Sequence, residues 1–590
     1  MSRSFDKADA APLSAIEELY YSARQDYYSR DYPQAQSKYE EILREEPGHQ
    51  QACIDYAELL FRFGRYEEAL EQISQPLSTD FFDPQANFVA GSIYRAMDRP
   101  VDALEAYGWA SRSMEFRSSA YTAMAELQLA ENNLEMAADY ARKALDYNVH
   151  NIMAYQVLAV KHRLAGEQQA VDSVLEKLWQ IDPLNHFIRF EKYLNEPDAA
   201  KLETFQSLIN NEFPYQTHLE LAATYLKYKQ KPDALQVLAL SPEHALVDLW
   251  MAALDEEKTD SKLDALLAKP IAFVLPYRKE TLHLLQQARE KRSHWKLDYY
   301  LALNSLAFNE IQQAAKLLTE IGDAADEATF YLNRALLLER AEDRDPSADL
   351  QKAWEMDPAQ WRHWQHLARH RAENGQEQEA LSLLKKATSR FSGNYVLEMD
   401  YIRILNSLGQ YKQAMALLDK IKVLPYEGAG EGRALFETVY LNAALEDMQA
   451  KRWNAAQTKL EKSLEWPENL GVGKPFTANE TMQDYLLGLV AKARNQQDSF
   501  RSHMQQVQAA TSGISLNRSE QLLALFALEA LEKSEEAAAL WKEIQEEGNE
   551  ETVRFIGQLY LGSNETVRSD PGNRREALLE KIAELRRMLQ

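Results

Sequence analysis

Alanine stands at Ala35, Ala69, Ala103 and Ala137, each 34 residues after the one before. A fixed interval of this kind leaves a chain few choices. One short unit repeated in register must form the same local structure each time, and it must bury its apolar face on its neighbours because it has no core of its own. Four positions beyond these alanines come Tyr39, Ile73 and Tyr107, and Val171 and Leu175 keep the register in a fifth unit. The small residue lets two antiparallel helices approach, and the large one fills the seam between them. Upstream, Ala90-Gly91 with Tyr94, and Tyr121 with Met124 and Ala125, supply the apolar row of a first helix. Pro47 and Pro183 fall where a second helix must stop, since proline cannot continue a helix.

A helix-turn-helix unit of 34 residues has the length of a tetratricopeptide repeat. The expected fold is therefore all-α, a tetratricopeptide-repeat α-α superhelical solenoid. A later unit reads Trp364, Leu367, Ala368 and then Ala380, Leu384, Ala387, followed in step by Ala414 after the turn Leu408-Gly409-Gln410-Tyr411. Weaker units centre on Ala234, Ala314, Ala456 and Ala537. These signals divide the chain into a flexible N-terminal tail (1–13), a regular array (14–190), a divergent helical-repeat segment (191–290) carrying Pro270 and Pro276, a second array with two inserted loops (291–480), and C-terminal helical repeats with a capping helix (481–590). That last helix has an apolar stripe of Leu578, Ile582, Leu585 and Leu589. Capping the final repeat is its expected use, with a dimer contact as the second.

Composition narrows the function classes. The net charge is -25, from 91 acidic and 66 basic residues, and such a surface repels phosphate backbones and anionic lipid headgroups. Nucleic acid and membrane are thus not the expected partners. No apolar run reaches the roughly 18 residues of a membrane span, and the opening residues have no apolar segment of a secretory signal. Cys53 is the single cysteine, which fits a reducing, cytoplasmic setting.

In a superhelix of this type the first helix of each unit lines the concave side. Its inward positions hold Tyr20, Arg24 and Tyr27 in the first unit, Phe88 and Arg95 in the third, Gln156 and Arg163 in the fifth, and Gln365 and Arg369 in the unit with Trp364. Arginine offers a planar fork to carboxylates and aromatic rings offer flat faces, so this row suits an anionic or sugar-like ligand. The alternative is internal: Glu58 and Glu126 occupy equivalent positions and can neutralise the same cations.

Two segments break the repeat grammar, Val423 to Arg433 and Trp466 to Phe476. Both are Gly- and Pro-rich and carry an aromatic residue and a cation, Tyr426 with Arg433 and Trp466 with Lys474. Loops longer than a connection requires commonly serve function. Gly473-Lys474 is not a phosphate loop, because Glu468 occupies the place of the first glycine and Pro475 that of the hydroxyl. His363, His366 and His370 share a helical face at a spacing open to metal, yet no carboxylate set completes them, and packing is the expected role. Asn479-Glu480-Thr481 and Asn564-Glu565-Thr566 match the glycosylation triplet, which means little without a secretory signal. No catalytic residue, metal site or cofactor is expected.

The strings Phe116 to Tyr121, Asp182 to Phe187, Leu424 to Gly432 and Trp466 to Pro475 resemble the repeat half of large bacterial proteins. Those proteins carry an N-terminal β-sandwich-type domain of unknown function, suspected of acting on carbohydrate. The resemblance spans nearly the whole chain but lacks the β-rich half, so it implies at most a carbohydrate-active partner domain and transfers no catalytic residue. Two readings follow. One is a non-enzymatic scaffold that binds a protein or peptide along its concave face. The other is the accessory half of a split or truncated carbohydrate-active enzyme, in which Tyr426, Arg433, Trp466 and Lys474 meet the substrate or the β domain.

Overall fold

The computed structural model describes residues 14–342, 344–426, 430–510, 517–548, 550–562 and 574–589. The expected N-terminal tail and the triplet at Asn564 lie outside them. The described residues form 33 α-helices, two short 3₁₀ turns and no strand. No helix among them is long and apolar enough to cross a membrane. The chain divides into two compact units, residues 1–349 and 350–590.

Unit one opens with five hairpins in strict register, from Ala15–Tyr28 with Tyr32–Glu45 to Ile152–Leu164 with Gln168–Ile181. Ala35, Ala69, Ala103 and Ala137 are all completely buried between the paired helices, as are Val171 and Leu175. The turn inside each hairpin repeats as strictly. Arg30, Gly64, Asp98, Asn132 and Gly166 all take positive φ, and each is 34 residues after the last. The amide one residue further on donates back to the carbonyl five positions earlier, as from Arg65 to Leu60 and from Asn133 to Gln128. A left-handed residue with this long back-bond closes the first helix and reverses the chain. Sequence hides the device, because only two of the five positions are glycine.

Successive first helices, such as Gln50–Arg62 and Pro84–Ala96, pack on one another more closely than successive second helices do. That asymmetry bends each array with the first helices on the inside. Beyond residue 186 the hairpins shorten, to Ala199–Ser207 and Lys231–Ala239 for example. The charged stretch at 255–260 is a 3₁₀ turn running into Thr259–Ala268, and the Pro270–Pro276 stretch runs without helix into Lys279–Lys291. Within the unit, residues far apart in sequence then meet. Asn309 Nδ2 donates to Asp31 Oδ1 at 3.2 Å, and the Phe63 and Phe308 rings stand edge to face, 6.0 Å apart.

Unit two repeats the pattern from Trp361–Glu373 with Glu377–Arg390 to Arg518–Ala530 with Ser534–Glu547. Its last helix, Arg574–Leu589, departs from the expected cap. Instead of stacking on the end of the array it packs against the first helices Glu431–Gln449, Thr481–Ala493, Arg518–Ala530 and Glu550–Leu561. The apolar stripe reads correctly but finds a different partner: the first helices present Leu441, Leu445, Leu486, Leu522 and Phe526 in the same core.

Candidate functional site

The candidate site lies on the inner wall of unit one. A period of 34 puts Tyr27 and Phe61 on equivalent turns of adjacent first helices, and likewise Arg24 and Glu58. Phe61, Arg62, Phe88 and Phe116 line a cavity of about 630 Å³ that is closed on its far side by Tyr277, Lys279 and Phe308. A second cavity of about 400 Å³ holds Arg24, Tyr27, Tyr28 and Arg30, and it shares Glu58, Arg62 and Gln85 with the first. The shared residues make the two one trough.

Hydrogen bonds fix its floor. Tyr20 donates to Asp55 at 2.8 Å, Tyr27 donates to Glu58 at 3.0 Å, and Arg62 donates to the Tyr27 hydroxyl at 3.1 Å. Arg24 reaches Asp55 at 3.6 Å and the Tyr28 hydroxyl at 3.1 Å. Burial, then the neighbouring Glu58 carboxylate, pushes the Tyr27 phenol up to about 12. Tyr20 and Tyr27 are therefore neutral donors with their rings held in place. Lys279, like Arg62 beside it, stands on the trough wall without a carboxylate partner among the described residues. Its ammonium lies 4.3 Å from the Phe61 ring centroid. Burial draws its pKa below the usual lysine value, opposed by Glu280.

The other inward arginines are engaged inside the fold. Arg95 meets Glu126 at 2.7 Å and donates to the Lys227 carbonyl, while Lys227 meets the other Glu126 oxygen at 2.6 Å. Arg163 is gripped by Glu191 at 2.8 Å and by Asp233 at 2.5 Å. In unit two Arg369 pairs with Asp400 at 2.9 Å, and Gln365 donates to the same carboxylate. Arg24 and Tyr27 line one end of the trough and Phe88 the other, with Tyr20 hydrogen-bonded to the lining residue Asp55, whereas Arg95, Arg163 and Arg369 each sit in a separate ion network. His363 is buried and turned to the Asp357 carbonyl at 2.9 Å, and burial lowers the pKa of His366.

In unit two the loops preceding and following the helix Glu431–Gln449 and its partner Trp453–Ser463 fold onto each other. Val423 donates its amide to the Asn469 carbonyl at 2.9 Å, and the Asn469 side chain donates to the carbonyls of Leu418 and Ile421. The Arg433 guanidinium lies 4.6 Å from the Trp466 ring centroid and donates to the Ser463 carbonyl at 2.7 Å. Tyr426 stays 57% exposed, and Lys474 pairs with Glu480 at 2.7 Å. Residues 427–429 of the first loop lie outside the described set.

None of Phe61, Arg62, Phe116, Lys279 and Phe308 is a candidate site residue from the sequence. Phe61 was within reach of it, one period beyond Tyr27. Lys279 and Phe308 were not, since they come from segments remote in sequence from the first helices they face.

The tetratricopeptide repeat family matches residues 27–88 and 371–422, one stretch in each unit. The chain carries tetratricopeptide repeats. Its repeats are similar to those of several solved structures at low identity. One is a tetratricopeptide repeat protein from Parabacteroides merdae, with 13% identity and a TM-score of 0.30, covering 49% of this chain and 98% of that one. Another is the C-terminal part of a repeat-containing protein from Cytophaga hutchinsonii, with 14% identity and a TM-score of 0.28, covering 45% and 99%. A third is Naa15/Naa10 bound to HypK-THB, with 15% identity and a TM-score of 0.29, covering 98% and 96%. No curated protein matches the chain.

Proposed function

We propose that the chain is a non-enzymatic repeat scaffold that binds a protein or peptide partner through the concave face of unit one. The observation that carries this reading is Lys279, a cation that makes no ion pair among the described residues, set beside Phe61 on the wall of an aromatic-lined trough. A wall of rings accepts an apolar or aromatic anchor, and a desolvated cation next to it rewards a carboxylate on the same ligand. The partner segment therefore carries an aromatic or large aliphatic side chain with an Asp or Glu close by. Tyr20 and Tyr27 hold the floor, Arg24 and Arg62 flank the carboxylate, and Phe88 receives the anchor. The accessory role in a carbohydrate-active enzyme has less support, because the Trp466 face that would stack on a sugar already carries the Arg433 guanidinium.

Peptide display on the full chain tests the reading, with counter-selection against a Phe88→Ala, Lys279→Gln variant. Expected are enriched peptides pairing an aromatic residue with an acidic one, whose synthetic versions bind the parent at least ten-fold more tightly than the variant at equal melting temperature. Peptides that bind parent and variant alike would remove the trough from consideration.

A further inference from the structure

The last helix of unit two lies along the face formed by four of its first helices. Leu578, Leu579, Ile582, Ala583 and Leu585 are all buried against the inner first helices. Polar contacts fix its direction. Glu576, near its start, meets Arg518 at the start of Arg518–Ala530 at 2.8 Å, and Arg586, in its last turn, pairs with Glu529 at the end of that same helix. The two helices therefore run parallel, with opposite charges matched at both ends. Arg586 also covers the Phe526 ring at 4.3 Å, and Lys581 donates to Asn442 Oδ1 at 2.7 Å across 139 residues of sequence.

We infer that the inner face of unit two is a receptor for an amphipathic helix, filled in this state by the chain's own Arg574–Leu589 segment. The partner it fits is a helix with leucine or isoleucine at i, i+4 and i+7, an acidic residue in its first turn and an arginine about ten positions later. Arg518 and Glu529 read those two charges, and the apolar floor reads the stripe. Such a partner binds only in competition with the resident helix, so its apparent affinity is reduced by the fraction of time the face is open. This concerns a different unit from the trough and stands independently of the function proposed above.

A fluorescein-labelled synthetic peptide of residues 574–589, titrated against the full chain by polarisation, tests the inference. In the Leu579→Glu, Ile582→Glu variant the resident helix is expelled, and peptide affinity should rise at least ten-fold over the parent chain. Adding Arg518→Glu and Glu529→Arg should abolish that gain, and a peptide with Glu576→Arg and Arg586→Glu should restore it. A second opening variant, Glu576→Arg with Arg586→Glu in the full chain, leaves the apolar stripe intact and should also raise affinity for the parent peptide. Unchanged peptide binding in both opening variants would overturn the inference. So would loss of helical content in both, which would make the segment an inseparable part of the core. A concentration-dependent dimer of the parent chain that exchanges this helix between copies would overturn the partner reading in favour of self-association.

Discussion

The Arg163 guanidinium grips a carboxylate, that of Glu191, which is 0% exposed, and the Tyr225 hydroxyl donates to the same carboxylate at 2.9 Å. Burial raises the pKa of Glu191 while Arg163 opposes the rise, and Asp233 closes the network from 70 residues away. Removing one member of such a pair leaves a charge in a dry interior. We therefore expect Arg163→Ala to destabilise unit one by about 3 kcal/mol, whereas Arg24→Ala, at the open rim of the trough, costs under about 1 kcal/mol. Urea denaturation of the two single variants checks this, and equal costs would contradict the division between structural and trough arginines.

Glycine 91 marks a close helix crossing. A Cβ added there would stand 2.7 Å from two carbons of the Tyr107 ring, whose hydroxyl is itself tied to Ser92. A Cβ at Gly488 would press first on the flexible methyl end of Met504, with the His503 Cβ at 3.3 Å and the Phe500 carbonyl at 3.8 Å. Gly91→Ala should cost about 2 kcal/mol by overpacking, while Gly488→Ala should stay within about 1 kcal/mol of the parent because methionine yields and alanine favours the helix. Thermal melts of both variants distinguish a rigid neighbour from a soft one.

Arg30 and Gly64 occupy the same left-handed turn position one repeat apart, at φ 65° and 74°. A side chain there crowds the next carbonyl. Arg30→Gly is expected to stabilise unit one by about 0.5 kcal/mol, the relief of strain outweighing the extra freedom of the unfolded chain. Gly64→Ala is expected to cost about 1 kcal/mol. Opposite signs in chemical denaturation are the result to look for.

His244 caps the helix Ala245–Leu254, its Nδ1 accepting from the Leu246 amide at 3.2 Å, and its ring stacks on Tyr215. Burial lowers its pKa to about 4, against the bond to the Phe273 backbone, which raises it. The folded state thus binds this proton less readily than the unfolded chain does. The stability it represents is complete above about pH 6.5 and is lost as pH falls through about 4. That amounts to about 2 kcal/mol after allowance for partial exposure. His244→Asn keeps the cap acceptor and does not titrate, so its melting temperature should fall less steeply than the parent's across this window. Parallel pH profiles would remove His244 as the cause.

How much was legible follows from where the information sits. The buried alanines, the seam residues and Gly91 are read within one unit by its nearest neighbour, so a local spacing reveals both the hairpin and the superhelical stacking. Arg24, Tyr27 and Phe88 were legible as inward positions for the same reason, since those positions follow from helical period alone. The choice of which inward arginine stays open to solvent was not legible. It depends on whether a carboxylate such as Asp233 or Glu126 reaches the same spot from another turn of the array, and no spacing along the chain records that distance.

The sequence by itself determined the repeat, its register and the apolar stripe of the last helix. Only the tertiary structure decided that Lys279 and Phe308 close the trough from residues far outside its repeats, and that the last helix lies along the inner face of unit two. Both outcomes arise where a curved array brings distant surfaces within contact, and there burial and charge pairing are set by three-dimensional proximity, which a one-dimensional period does not encode.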